Sequence, residues 1–380
     1  MAVKIHQYYG LLIIILFSAA LTYFNYEKRE YDWDMPGYIG CLYETEFPGN
    51  KDEIHKKTYS SLRKEASKEE YEKIIGINEV NIARASFAKS PESFYGQIPY
   101  YQVKLSYNAV IYAFYKLGFS AALSTVIPNL ILFFVTSVFL YCIFTTVMPK
   151  QSFLSVIFTA GIMLLPDFRH LSYTTTPDMF SVFFLILFLY SVLKKYPSLL
   201  EFIILINLIL IRPDYLVFVL CYYVLKFFYD FFTMKKVRFE MILYGCFAVV
   251  IYLLLIKFYQ YPGWKEVFYD SFIHRRLQIT SEEADFTFKD YGNIVLGNLM
   301  NFKKVTLAAV GMFGVSLFFS GKNWDKVFAA FLFVSIYIKF LFFPAAGETR
   351  FFLGLLILQL IWMVFILNTY TTNKFALHSK

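Results

Sequence analysis

The sequence predicts an all-α polytopic membrane protein, and three observations carry that prediction. Of the 380 residues, 58% are hydrophobic and 17% charged, too little charge to cover a soluble domain of this length. Apolar blocks recur at close to the length a helix needs to cross a bilayer, about 20 residues. The remaining acidic and basic groups gather near the ends of those blocks, and threading the blocks through a membrane puts most of them on one face. Charge beside hydrocarbon is costly, so a recurrent cluster of this kind marks a candidate site.

The first predicted span is Tyr8–Phe24, after a short basic start. Its flank, Asn25-Tyr26-Glu27-Lys28, lacks the small residues of a signal-peptide cleavage site, so the segment is expected to remain as an anchor. The further spans are Ala121–Met148, Ser152–Leu165, Met179–Leu193, Leu199–Ile211, Tyr215–Phe232, Met241–Phe258, Val305–Phe319, Val327–Phe343 and Phe351–Leu367, roughly ten in all. Ser152–Leu165 and Leu199–Ile211 hold only 14 and 13 residues and stop at Pro166-Asp167 and Arg212-Pro213-Asp214. Such ends suggest polar groups recessed below the surface, where irregular backbone lines a cavity. The lesser alternative is that adjoining residues complete each span, with the charges in the headgroups.

Residues 1–380 read as a single transmembrane domain with two long loops, 25–120 and 260–304. In the first, Asn50 to Lys73 mixes Lys and Glu as a solvated helix does, and Ser67 with Glu70 has capping-box spacing. Tyr100 to Phe119 interleaves aromatic and aliphatic residues with Lys104 and Lys116, which predicts an interfacial amphipathic helix; Trp264–Phe272 predicts a second one in the other long loop.

With a cytoplasmic N-terminus, eleven basic residues (Lys4, Lys150, Lys194, Lys195, Lys235, Lys236, Arg238, Lys322, Lys326, Lys374 and Lys380) fall inside, against Arg169, Arg212 and Arg350 in the short outside loops. The positive-inside rule therefore places both termini in the cytoplasm and the charged face outside. Those loops also account for the net charge of +8, and no nucleic-acid partner is expected. The four cysteines, Cys41, Cys142, Cys221 and Cys246, show neither metal spacing nor a disulfide framework.

Tyr31-Asp32-Trp33-Asp34-Met35-Pro36-Gly37-Tyr38 holds two carboxylates within a few residues of the first span. One could act as general base to a hydroxyl, the pair could hold a divalent cation, or the segment could be a solvated turn. Asp167, Arg169 and His170, with Asp178 after Pro177, bracket the next outer loop; helix capping explains Asp178 as well as substrate contact does. Arg212-Pro213-Asp214 ends a short apolar run, where the arginine needs an anion, either phosphate or its own Asp214. His274, Arg275 and Arg276 suit phosphate or headgroup anchoring. Glu348 and Arg350 occupy the last outer loop, with the same two readings for Arg350. No P-loop, zinc motif or nucleophile elbow is present.

This pattern resembles the GT-C superfamily of membrane glycosyltransferases. The likeness rests on the first outer loop Asp32-Trp33-Asp34-Met35-Pro36-Gly37-Tyr38, the Arg212-Pro213-Asp214 after a short middle span, the interfacial helices, and Gly347-Glu348-Thr349-Arg350-Phe351-Phe352 near the C-terminus. It spans the chain in layout but only short motifs in residues. The chain departs from the family in having fewer spans than usual and no large soluble C-terminal domain.

The resemblance implies transfer of a sugar, with inversion, from a polyprenyl-phosphate carrier to a glycan, lipid or protein acceptor on the extracytoplasmic face. It implies Asp34 as base with Asp32 in support, and Arg212, Arg350, Arg275 and Arg276 on the donor phosphate. Asp167, Arg169, His170, Asp178, Asp214 and Glu348 are candidate substrate contacts. No cofactor is expected, and the expected location is a bacterial inner membrane, in cell-envelope glycan synthesis. The alternatives are a lipid or polysaccharide transporter or flippase, which predicts inverted repeats, and a non-catalytic membrane subunit.

Cysteines placed at Ser60 and Lys322 test the orientation. A membrane-impermeant maleimide is expected to label position 60 in intact cells and position 322 only after permeabilisation; the reverse would overturn the assignment of the charged face.

Overall fold

The computed structural model describes residues 2–77, 81–279 and 281–378. Lys380 and the side chain of Lys4, both assigned to the inner side, lie outside what it describes. The described residues form helices joined by turns, with no strand among them.

Five helices are long and apolar enough to cross a membrane: α1 (Ala2–Glu27), α8 (Ala121–Val147), α13 (Leu216–Met234, with the preceding turn), α14 (Phe239–Phe258) and α19 (Arg350–His378). Two bent pairs raise the number to seven. In one, α9 (Ser152–Leu164) turns by 61° into α10 (Pro166–Tyr173); in the other, α16 (Phe288–Leu299) turns by 71° into α17 (Lys303–Phe319).

The count falls short of ten for physical reasons. Helix α11 (Asp178–Lys194) has 17 residues and α12 (Ser198–Ile211) has 14, or about 26 and 21 Å of helix against a hydrocarbon core of about 30 Å. Helix α18 (Asn323–Phe342) is long enough but carries Asp325, Lys326 and Lys339.

A membrane setting follows from what these helices expose. Only 17% of the apolar window of α14 is buried, and Leu243, Phe247, Leu254 and Phe258 all face outward. A continuous apolar surface of this kind is unstable in water. Within the bundle, α12 and α13 share a buried ion pair: Lys226 Nζ lies 2.6 Å from Glu201, which also accepts from the Tyr222 hydroxyl at 2.8 Å.

The first long loop is a second helical layer with its own apolar core. It comprises α2 (Met35–Glu46), α3 (Lys51–Glu65), α4 (Lys68–Ile74), α5 (Ile82–Lys89), α6 (Pro91–Gln102) and α7 (Leu105–Lys116). The polar run 50–73 is two helices rather than one, and its face is not wholly solvated, since Ile54, Thr58, Tyr59 and Leu62 are buried. Ser67 and Glu70 make the reciprocal capping box. The predicted helix 100–119 begins earlier and breaks in two at Val103-Lys104; Pro99 sits inside α6 instead of bounding it. Trp264–Phe272 is a helix, α15, with the bounds read from the sequence.

Helix α2 is buried on every side from Met35 to Tyr43. That is possible because Gly37 and Gly40 let α6 approach: a Cβ at Gly37 would fall 2.4 Å from the Tyr101 ring, and one at Gly40 2.4 Å from Ile98. Gly37→Ala is therefore expected to cost about 1–3 kcal/mol, as overpacking does. The readouts are a lower thermal midpoint and faster maleimide labelling of the buried Cys41; unchanged values for both would contradict this packing.

Candidate active site

The two acidic residues of the first loop have different surroundings. Asp34 occupies the N-cap position of α2, yet its side chain makes no capping bond. Asp32 does that work: its Oδ1 accepts from the backbone N–H groups of Asp34 at 3.1 Å and Met35 at 3.0 Å, while its Oδ2 accepts from Thr175 N–H at 2.8 Å. Among the described residues, the carboxylate of Asp34 accepts a single bond, from the Tyr101 hydroxyl at 3.1 Å.

The Thr175 end of this tie is itself fixed. Asn129, fully buried in α8, donates to the carbonyls of Thr174 at 2.7 Å and Thr176 at 3.0 Å, and the hydroxyls of Thr125 and Thr175 meet at 3.1 Å. Buried polar groups are costly unless paired, so this knot holds the 174–178 turn, and with it Asp178, against the first loop.

Around Asp178 the ends of five helices, α11, α12, α13, α18 and α19, meet. Arg212 donates to Asp178 and, at 3.0 Å, to Asp214. Asp214 also lies 3.3 Å from Lys339 of α18. Arg212 and Arg350 both rest on the Phe351 ring, at 5.1 and 4.9 Å from its centroid, and Arg350 reaches Glu348 at 2.5 Å. Three basic groups thus meet three carboxylates.

This cluster and the loop carboxylates share one field. Burial and the charge of Asp34 push the Asp32 carboxyl up to about 8, against the Thr175 and Met35 N–H groups and the charge of Arg350. Burial lowers Lys104, offset in part by Asp34 and Asp178 and reinforced by Arg212. Burial, then Asp34, raise Tyr101 well above its ordinary range, which keeps its hydroxyl a donor.

The remaining predicted residues serve as ties elsewhere. Arg169 donates from Nε and Nη2 to Asn25 at 3.1 and 3.0 Å, joining α10 to α1, and His170 lies 3.9 Å from Glu30. Asp167 accepts from the Thr349 hydroxyl. His274 is exposed beside Tyr269. Arg276 spends its donors within the protein, on Asp270 at 2.9 Å, the Tyr100 hydroxyl at 3.1 Å and the Glu282 carbonyl at 2.7 Å, and is also ion-paired with Glu266 at 2.5 Å. Arg275 keeps free donors.

Sequence reasoning passed over Lys104, Tyr101, Tyr38 and Lys339. Lys104 donates to the Tyr38 hydroxyl at 2.9 Å and lies 4.8 Å from the Tyr101 ring centroid. Only its place in a Tyr-rich stretch hinted at this. Among the described residues no group of three or more His, Cys, Asp or Glu is placed to hold a metal ion.

An apolar crevice between α13 and α18 carries Asp214 and Lys339 in its wall, with Phe218, Cys221, Ile338 and Phe342. A second, lined by Trp264, Phe286, Phe288 and Tyr291, shares Phe342 with it. No family model, curated protein or solved structure matches the chain.

The raised Asp32 carboxyl makes a pH prediction. The native state keeps a proton that the unfolded chain releases near pH 4, so the group's contribution to stability is full below that value and is lost as pH rises through about 8. The thermal midpoint is expected to fall between roughly pH 5 and pH 8 by more in the native protein than in Asp32→Asn. Parallel profiles would show that Asp32 does not titrate in this window.

Proposed function

We propose that the chain is an integral-membrane inverting glycosyltransferase that moves a sugar from a polyprenyl-phosphate carrier to an acceptor hydroxyl on the extracytoplasmic face. The observation that carries the reading is the state of Asp34, an N-cap carboxylate released from capping by Asp32, held by one tyrosine, within the field of the arginine cluster. The resemblance to GT-C enzymes of its Asp32–Tyr38 segment and of Gly347–Phe352 supports the reading.

In this mechanism the acceptor oxygen attacks the anomeric carbon from the face opposite the phosphate and gives its proton to Asp34. The bond from that carbon to the phosphate oxygen breaks, and the oxygen leaves with the electron pair. The phosphate is already a good leaving group, so fixed positive charge suffices to stabilise it. Arg350 and Arg212 supply that charge. Arg276, whose donors are already spent, belongs to the scaffold. The crevice that carries Asp214 and Lys339 would take the isoprenoid tail. In the same reading α11, α12, α17 and α18 also cross, giving roughly ten crossings, with both termini in the cytoplasm of a bacterial inner membrane.

Asp34→Asn keeps the shape of the side chain and its bond from Tyr101 but removes its proton affinity. Transfer from a radiolabelled lipid-linked sugar is expected to fall roughly 10²–10⁴-fold with little change in donor binding. Arg350→Ala is expected to weaken both binding and turnover. If Asp34→Asn retains near-native transfer, the first loop is not catalytic and the mechanism falls.

A further inference from the structure

The basic residues near Asp34 divide into two sets. Arg212, Lys339, Arg350 and Arg276 each have a carboxylate within 3.3 Å. Among the described residues, the side chains in contact with Lys104 and Arg275 are all neutral. Lys104 meets the Tyr38 hydroxyl and the Tyr38 and Tyr101 rings. Arg275 donates to Gln97 Oε1 at 3.3 Å and lies 5.6 Å from the centroids of Phe87 and Tyr100, while its Nε is buried without a partner.

Both lie against neighbours in one short segment. Lys104 covers the ring of Tyr101, whose hydroxyl holds Asp34, and Arg275 covers the ring of Tyr100 and acts on Tyr101 through its charge. An ammonium has three donors and a guanidinium five, so most of theirs are unused. Cation–π contact stabilises a cation less than a paired carboxylate does, and it leaves both half-buried cations without a carboxylate in contact among the described residues.

We propose that Lys104 and Arg275 form an anion subsite beside Asp34 that takes a phosphate or carboxylate of the acceptor. Assigning it to the acceptor rests on the glycosyltransferase reading; the anion site itself does not. Two placements favour the acceptor over the carrier. Lys104 lies in the link between α6 and α7 and Arg275 in the segment after α15, both outside the candidate spans. The carrier's phosphate instead arrives along the bundle, where Arg212, Lys339 and Arg350 stand at helix ends and the crevice runs between α13 and α18.

The test is a calorimetric titration of the purified full chain, in phosphatidylcholine nanodiscs, with inorganic phosphate while farnesyl phosphate is held saturating. Phosphate is expected to bind under these conditions. Lys104→Met and Arg275→Met are each expected to weaken it by about tenfold or more, and Lys104→Arg to retain it, which separates loss of charge from loss of fold. Absence of phosphate binding to the native protein, or binding that neither Met variant weakens, overturns the subsite, as does a loss with Lys104→Arg equal to that with Met. If farnesyl phosphate excludes inorganic phosphate and Lys104→Met weakens farnesyl phosphate itself, the subsite belongs to the carrier and the acceptor assignment falls. None of these titrations requires transfer, so their outcome is independent of the Asp34→Asn assay.

Discussion

Asp32 accepts three backbone N–H groups, two from its own turn and one from Thr175, 143 residues away in the chain, and the rest of the site hangs on that arrangement. Two of the donors start α2, and the third belongs to the turn that starts α11. One carboxylate therefore sets the entry angle of the loop helices and joins them to the bundle. Its own position is held from behind by Asn129 and Thr125, side chains of α8 with no access to solvent. Hydrogen bonds to an ionised group are about twice as strong as neutral ones, but here burial and the nearby Asp34 favour the protonated form. The tie is thus strongest when Asp34 is itself neutralised, by a proton or by cations brought close to it.

That coupling explains why two carboxylates two residues apart do not have equivalent roles. Asp32 has its oxygens committed to backbone N–H groups, and burial with the charge of Asp34 already favours its protonated form in the native state, so it is poorly placed to take a further proton. Asp34 gives up the usual duty of an N-cap residue, and its one partner is a tyrosine raised far from titration. A group meant to accept a proton in a reaction needs lone pairs that the scaffold does not use, and Asp34, with one bond accepted against three for Asp32 among the described residues, has more of them.

The sequence reading located the helices that expose apolar residues to lipid, because a long apolar run has few other uses. It also located the breaks, since Pro166 and Pro213 end α9 and α12 where expected. It placed Trp264–Phe272 correctly but misjudged the helix over 100–119, where Pro99 sits in α6 and the break comes at Lys104; proline inside a short helix is tolerated when packing holds the turn, and periodicity carries no record of packing. The same limit applied to the site. Asp32, Asp34, Arg212 and Arg350 were legible as charges next to apolar runs. The commitment of Arg276 to Asp270 and Glu266, and the lack of any such commitment for Lys104 and Arg275, depend on side chains from distant segments.

The charge balance among the helix ends sets what can be exchanged there. Arg212 is held by Asp178, whose side chain is 6% exposed, whereas Arg350 is held by Glu348, whose side chain is 53% exposed. Displacing Asp178 would leave a carboxylate stranded in protein, a cost of several kcal/mol. Displacing Glu348 would release it into water at little cost, as for surface ion pairs generally. In the proposed glycosyltransferase an arriving phosphate would recruit Arg350 first and meet Arg212 as a guanidinium fixed in orientation by its two carboxylates. The two arginines resting on one phenylalanine ring are thus unequal: under the proposed function Arg350 would exchange partners with the ligand, and Arg212 would hold the geometry into which the ligand fits.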